Sequence, residues 1–266
     1  MANAAATHAK DPKPGDGYVQ SFARGLEVIR SFSASTPQQT LSEVATRSGL
    51  SRAGARRILL TLQTLGYVTT DGKLFSLSPR ILDLGFAYLS SMPIWNLAEP
   101  AMESLVAQVK ESCNAAVLDN TDIIYVMRVA THKIMSINLG VGSRLPAYCT
   151  SMGRVLLASL PEEQCLQVLE KSDRKARTKH TVTDMAELSA RIALVRRQGW
   201  CLINQELEEG LVSIAAPITN RAGQTVAALN ISGQANRTSA RVMHDSMLPP
   251  LLAAAQDISR LLGARR

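Results

Sequence analysis

The strongest constraint on what this chain can fold into lies between Leu41 and Leu65. Leu41, Val44 and Ala45 recur at the spacing of one helical face, and Gly49 supplies the permissive backbone that ends a first short helix. Ser51 is suited to cap a second helix. Its apolar positions Ile58, Leu59, Leu62 and Leu65 form one stripe, while Arg52, Arg56 and Arg57 crowd the first two turns on another side. Upstream, Ser21 to Ser33 carries Phe22, Leu26, Ile29 and Phe32 on one face, which supplies a third helix against which both stripes can be buried.

A helix that enters a DNA groove needs an apolar back to fix it on its scaffold and small residues near its start, so that its backbone can approach the duplex. Ser51, Ala53, Gly54 and Ala55 meet the second need. The arginines can pair in bidentate fashion with a guanine edge or clamp a phosphate, and the sequence leaves open which does which. A solvated basic helix in an ordinary bundle would show the same pattern. The adjoining stretch, Gly66 to Leu77, favours DNA: two short strand-like runs meet there at Asp71-Gly72, a strong signal for a tight hairpin. A hairpin directly after the second helix is the wing of a winged helix-turn-helix, with Lys73 at its tip in reach of a phosphate. The candidate DNA contacts are therefore Ser51, Arg52, Ala53, Arg56, Arg57 and Lys73.

A formal net charge of +7 suits a nucleic-acid partner without proving one, and 266 residues suffice for two modest domains. No apolar run approaches a membrane span, no signal-peptide core opens the chain, and a cytoplasmic protein is expected. Cys113, Cys149, Cys165 and Cys201 are widely spaced and read as reduced thiols. The histidines form no metal-ligand spacing, so neither a metal nor another cofactor is expected.

Residues 1–17, rich in Ala, Lys, Asp, Pro and Gly, read as a disordered arm, and residues 18–78 as the winged helix. Pro79 opens a linker helix over residues 79–91, with Ile81, Leu84, Tyr88 and Leu89 apolar; Met92-Pro93 interrupts it. Residues 92–266 begin with an amphipathic helix, Leu97 to Lys110, and then change period. Strands are expected at Ala115 to Leu118, Ile123 to Val129 and Ile134 to Leu139. In the second, Tyr125, Met127 and Val129 point one way and Val126 and Arg128 the other. Arg128 is a candidate anion receptor, or else an edge-strand arginine facing water.

A glycine-rich turn from Gly140 leads past Arg144 to a helix that starts at Thr150-Ser151. Free backbone N–H groups at such a start can hold a carboxylate, although simple capping would use the same residues. Helices fit Pro161 to Lys171 and Asp184 to Gln198, with the basic stretch Arg174 to His180 read as a solvated loop. Strands return at Gly199 to Ile203, Val212 to Ile218 and Thr225 to Ser232, before a closing helix from Ser239 to Gly263. Asn230 and Ser232, two apart, share a face that either lines a pocket or lies exposed on the outside. The fold class is α+β, a winged helix followed by a ligand-sensing domain.

With these residues set out, the chain from about Tyr18 onward resembles the isocitrate-lyase-regulator (IclR) family of bacterial transcription factors. The matching blocks are Leu41 to Leu65, the Asp71-Gly72 wing, Leu145-Pro146 through Gly153-Arg154 to Ala158, Gly199-Trp200, Glu206 to Gly210, Ala215-Ala216-Pro217 and Ile231-Ser232-Gly233. Tyr18 to Leu26 and Ile134 to Tyr148 further resemble the subgroup that controls aromatic-acid breakdown through the β-ketoadipate pathway. The resemblance implies a winged helix, a linker helix and a GAF/PAS-like effector domain with a mainly antiparallel sheet. It also implies dimers, often paired into tetramers, operator DNA and a small organic acid as partners, and RNA polymerase as a further partner of an activator.

By the same resemblance, the effector meets the backbone of Ser151 and Met152 and the side chains of Ser213, Asn230 and Ser232. An acidic position of the family aligns with Ile203 or Asn204 here, and its strand serine with Asn230, which implies a different acid; Arg128 and Arg144 then become candidates for the effector carboxylate. The subgroup favours activation. The alternatives are a repressor sensing a short acid such as glyoxylate or pyruvate, and an enzyme with an accessory DNA-binding domain. For the latter, neither Cys149 nor the loop residues His132 and His180 supplies a nucleophile with a base.

Overall fold

The computed structural model describes residues 15, 17–91, 94–131 and 139–264. The expected N-terminal arm (apart from Gly15 and Gly17), the interruption at Met92-Pro93, the strand at Ile134 to Leu139 (apart from Leu139) and His132 lie outside them. The chain divides into two units, residues 1–91 and 92–266.

The first unit runs α1 (Gln20–Arg30), β1 (Gln38–Thr40), α2 (Leu41–Arg47), α3 (Arg52–Thr64), β2 (Val68–Thr70) and β3 (Leu74–Leu77). A 3-10 turn at Pro79–Ile81 then leads into α4 (Leu82–Ser91). Local chemistry sets the boundaries of the two central helices. Thr40 and Glu43 form a reciprocal capping box at the start of α2, Gly49 adopts φ +66° after it, and Ser51 Oγ accepts the Gly54 N–H at 3.1 Å to start α3. Val28, Phe32, Val44, Ala45, Ala55, Leu59, Leu62 and Val68 form the core.

Two expected core positions differ. Phe22 is 68% exposed and Leu65 51% exposed. Both sit at the outer ends of their stripes, Phe22 in the first turn of α1 and Leu65 at the C-cap of α3. The hairpin turns at Asp71-Gly72, where Asp71 Oδ1 accepts the N–H groups of Lys73 and Leu74 and Gly72 takes φ +97°. β1, which the periodicity does not reveal, adds an antiparallel edge to β3, giving the order β1-β3-β2.

The second unit runs α5 (Ile94–Val109), β4 (Ser112–Asp119), β5 (Asp122–Val129), β6 (Arg144–Pro146), α6 (Ser151–Ser159), α7 (Glu162–Lys171) and α8 (Met185–Gln198). It continues with β7 (Cys201–Asn204), β8 (Leu211–Thr219), β9 (Thr225–Gln234), α9 (Ala240–Val242) and α10 (Leu248–Leu261). The strands form one antiparallel sheet in the order β6-β5-β4-β9-β8-β7. α6 and α8 cover the face that carries Ala116, Ala215 and Ala228, and α5 and α10 pack together against the sheet as well.

Small residues on that face let α6 approach closely, and every residue from Ser151 to Ala158 is buried. The helix expected from about Ser239 to Gly263 is present from Ala240 to Leu261, with a π-helical turn at Met243–Met247 between α9 and α10, whose first turn holds Pro249 and Pro250. Prolines without N–H groups cannot continue a regular ladder with the turn before them. Among the described residues, no helix is long and apolar enough to cross a membrane.

Candidate functional site

The second unit contains a cavity of about 520 Å³, measured with its open mouth, between the sheet and the start of α6. Its polar lining comes from Asn114 on β4, Tyr125 and Arg128 on β5, Thr150 and Ser151 at the head of α6, Ser213 on β8, and Asn230 and Ser232 on β9. Leu139, Leu145, Met152, Ile203, Leu207 and Leu211 supply an apolar wall, and Cys149 completes it.

Strand pairing explains why these side chains converge. Asn114 lies opposite Arg128 on one side and Asn230 on the other, while Ser213 lies opposite Ser232. A polar row thus crosses four strands on one face. Asn230 and Ser232 face the cavity, which decides between pocket lining and outer surface. Simple alternation puts Tyr125 and Arg128, three apart, on opposite faces. A β-bulge shifts the register between Ala115 and Ala116, so that Met127 pairs with Ala115 but Tyr125 with Ala116. Val126 is the extra residue, and the shift puts Tyr125 on the face of Arg128.

The head of α6 presents open backbone amides to the cavity. Thr150 Oγ1 accepts the Gly153 N–H at 3.2 Å, which leaves the first amides of the helix, Ser151 and Met152, without intrahelical acceptors at the positive end of the helix dipole. Ser151 Oγ is buried and has no hydrogen-bond partner among the described residues. Burial pushes the Tyr125 hydroxyl up to about 12, against the opposing charge of Arg128. Burial also raises the Cys149 thiol, to about 11, with Arg177 pulling the other way, so at neutral pH it is a thiol rather than a thiolate.

Of the effector candidates, Arg128, Ser151, Met152, Ser213, Asn230 and Ser232 meet in the cavity, and Arg144 and Asn204 are not among its lining. Arg144 is held away by two carboxylates, Asp119 at 2.7 Å and Asp122 at 3.3 Å, because β6 ends the sheet beside the β4–β5 turn. Asn204 is exposed, and its neighbour Ile203 turns inward instead. Asn114 and Tyr125 are lining residues that the sequence pattern does not single out. The signal for Asn114 is a lone amide between Cys113 and Ala115, just ahead of the strand that periodicity marks from Ala115. For Tyr125, the bulge leaves no trace in sequence.

In the basic stretch Arg174 to His180, Lys175, Arg177, Lys179 and His180 are exposed, as expected of a solvated loop, while hydroxyl groups tie its backbone to neighbouring segments. Thr178 Oγ1 donates to the Gln205 carbonyl and Thr181 Oγ1 to the Glu206 carbonyl, both at 2.6 Å, and Tyr148 Oη donates to the Lys175 carbonyl. In the first unit, Ser51 caps α3, and Arg52, Ala53, Arg56 and Arg57 stand exposed on its early turns; Lys73 is exposed at the tip of the hairpin.

Comparison with known proteins covers both units. Residues 21–72 match the IclR helix-turn-helix domain, and residues 86–260 match the C-terminal domain of bacterial IclR transcriptional regulators. The chain is 45% identical to the Pca regulon regulatory protein of Pseudomonas putida over 92% of its own length and 84% of that protein. It is 33% identical to the p-hydroxybenzoate hydroxylase transcriptional activator of Acinetobacter baylyi over 96% of both. An IclR homologue from Microbacterium hydrocarbonoxydans, crystallised with 4-hydroxybenzoate, superposes with a TM-score of 0.80 at 25% identity, covering 92% of this chain and all of that one (100%). The chain therefore belongs to the IclR family of transcriptional regulators, with a DNA-binding helix-turn-helix and a small-molecule effector domain.

Proposed function

We propose that this regulator senses an aromatic acid, or a ring-cleavage product of one in the β-ketoadipate pathway, and activates transcription when the acid is bound. The observation that carries the reading is the cavity itself. It sets a guanidinium, Arg128, and the open amides of α6 against an apolar wall that includes Leu139, Leu145, Ile203 and Leu207. The regulators of the Pca regulon and of p-hydroxybenzoate hydroxylase, and the homologue crystallised with 4-hydroxybenzoate, support the same chemistry. Arg128 takes the carboxylate with Ser151, Met152 and Ser213, and the row of Asn230 and Ser232 orients the remainder.

On the DNA side, Arg52, Arg56 and Arg57 contact base edges and phosphates, Ser51 and Ala53 allow close approach, and Lys73 reaches the backbone from the wing. The protein works in the cytoplasm as a homodimer or a dimer of dimers, on a palindromic operator, and engages RNA polymerase as an activator. Leu82 and Phe86, 70% and 67% exposed and one turn apart on α4, support pairing with a second copy along the linker helix. The effector acts by linkage: it binds one arrangement of the winged helices more tightly and shifts the population toward it.

A repressor that senses glyoxylate or pyruvate is the second reading. The polar row would suit such an acid, whereas the apolar residues Leu139, Leu145, Ile203 and Leu207 favour a ligand with a hydrocarbon part. Among the described residues, the cavity holds neither a thiolate nor a paired base for the enzyme reading, and turnover of a candidate acid by purified protein would revive it.

The test is a thermal-shift screen against protocatechuate, 4-hydroxybenzoate, β-ketoadipate, cis,cis-muconate, glyoxylate and pyruvate. A ligand that binds only the folded state raises the melting temperature by mass action. A shift with an aromatic-pathway acid is the expected result. A shift with glyoxylate or pyruvate alone selects the second reading.

A further inference from the structure

Asn114 lies at the centre of the polar row and is 2% exposed. Its Nδ2 donates to Asn230 Oδ1 at 2.8 Å and, at 3.4 Å, to Ser232 Oγ. Both amide hydrogens are thus spent on the neighbouring strand. Its Oδ1 is fully buried, lines the cavity through the same side chain, and has no hydrogen-bond partner among the described residues. The only other cavity-lining side-chain atom in that condition among the described residues is Ser151 Oγ, a hydroxyl that can turn to donate or accept.

An amide oxygen can only accept. A carboxylate cannot satisfy it, since acceptor would face acceptor, and an apolar group placed against it would leave a buried oxygen unpaired. A ligand that fills this end of the site completes it by bringing a donor. From this, and resting on the reading of the cavity as an acid-binding site, we infer that the effector carries a hydroxyl besides its carboxylate. Asn114 accepts a hydrogen bond from that hydroxyl and so selects hydroxylated acids over unsubstituted acids and dicarboxylates of similar size.

The neighbours of Asn114 fit this role. Asn230 and Ser232 hold its amide plane by accepting from Nδ2, so the orientation of Oδ1 is fixed before a ligand arrives. Asn114 is thus a specificity-determining residue, separate from the groups that hold the carboxylate.

Isothermal titration of the full-length protein tests this with a series that varies only the hydroxyl: benzoate, its 2-, 3- and 4-hydroxy derivatives, and protocatechuate, with adipate and cis,cis-muconate as dicarboxylates. At least one hydroxylated acid should bind about tenfold or more tightly than benzoate and both dicarboxylates. In Asn114→Ala that advantage, taken as the ratio of the two affinities in the same variant, should fall below about twofold. If Asn114→Ala does not fold, the wild-type series decides alone. Benzoate or a dicarboxylate binding as tightly as every hydroxylated acid would overturn the inference while leaving the acid-binding reading intact. A full hydroxyl advantage in folded Asn114→Ala would remove the residue from the role, and failure of every acid to bind would overturn both.

Discussion

Arg154 and Glu206 form a buried, two-pronged ion pair, with Nη1 to Oε1 at 2.8 Å and Nη2 to Oε2 at 2.6 Å and side chains only 2% and 5% exposed. Each charge has further partners. Arg154 Nε donates to the Tyr148 carbonyl, and Glu206 also accepts from the Val182 N–H and from Arg191. The pair ties α6, whose head lines the cavity, to the segment that carries Leu207 into the cavity wall. Its consequence is geometric: the open amides of α6 and the apolar wall keep a common frame.

Removing one partner of such a pair leaves an uncompensated buried charge. Glu206→Ala should lower stability by about 3 to 5 kcal/mol, read by denaturant unfolding. A loss under about 1 kcal/mol would mean that water reaches Arg154 and that the pair does not organise this region.

Gly153 stands next to Arg154 for a steric reason. A Cβ there would collide with the Ala147 carbonyl and Cα and with Thr150 Oγ1. Gly153→Ala should cost about 1 to 3 kcal/mol and weaken effector binding, because the backbone around the Thr150 cap must shift. Thermal melts with and without the strongest ligand of the screen measure both effects, and an unchanged melt would contradict the crowding.

The proposed DNA contacts predict a division of labour on α3. Arg56→Ala or Arg57→Ala should weaken operator binding by roughly 1 to 3 kcal/mol where a bidentate base contact is lost. Ser51→Ala should cost about 1 kcal/mol of stability through the lost cap. Gel-shift titrations at fixed salt that find both arginine variants unchanged would remove α3 from the groove.

Arg128 and Arg144, the first and second candidates for the effector carboxylate by sequence, differ in their surroundings. Arg128→Ala should abolish the effector-dependent change in operator binding and spare the effector-free affinity. Arg144→Ala should keep the response and alter stability by less than about 1 kcal/mol, as befits an exposed pair. The reverse outcome would place the carboxylate at the edge of the sheet.

Acid should loosen the wing through Asp71. The N–H groups of Leu74 and Lys73 hold its carboxyl below the ordinary 3.8, so its contribution is present above that value and is lost as pH falls through the lower folded-state value. Glu43, lowered by the Thr40 capping box, adds in the same direction. Melts of wild type and Asp71→Asn from about pH 5 to about pH 2.5 should converge as the pH drops. A gap independent of pH would show that the carboxylate charge is not what braces the turn.

Much of the molecule was determined by the sequence alone, through short-range rules. The helices around Gly49 and Ser51, the Asp71-Gly72 hairpin, the α8 boundaries at Asp184 and Gly199 and the strands of the last third follow from periodicity, capping and turn chemistry, which act over a few residues. The face shared by Asn230 and Ser232 was legible for the same reason, since alternation along an uninterrupted strand needs no partner. Tertiary structure decided what depends on register and on neighbours distant in sequence. The bulge at Val126 reversed the parity of Tyr125, Asp119 and Asp122 claimed Arg144, and β4 brought Asn114 beside a residue 116 positions away. The burial of Arg154 is of that kind too, because an arginine enters a core only when a carboxylate such as Glu206, 52 positions downstream, is already there to meet it.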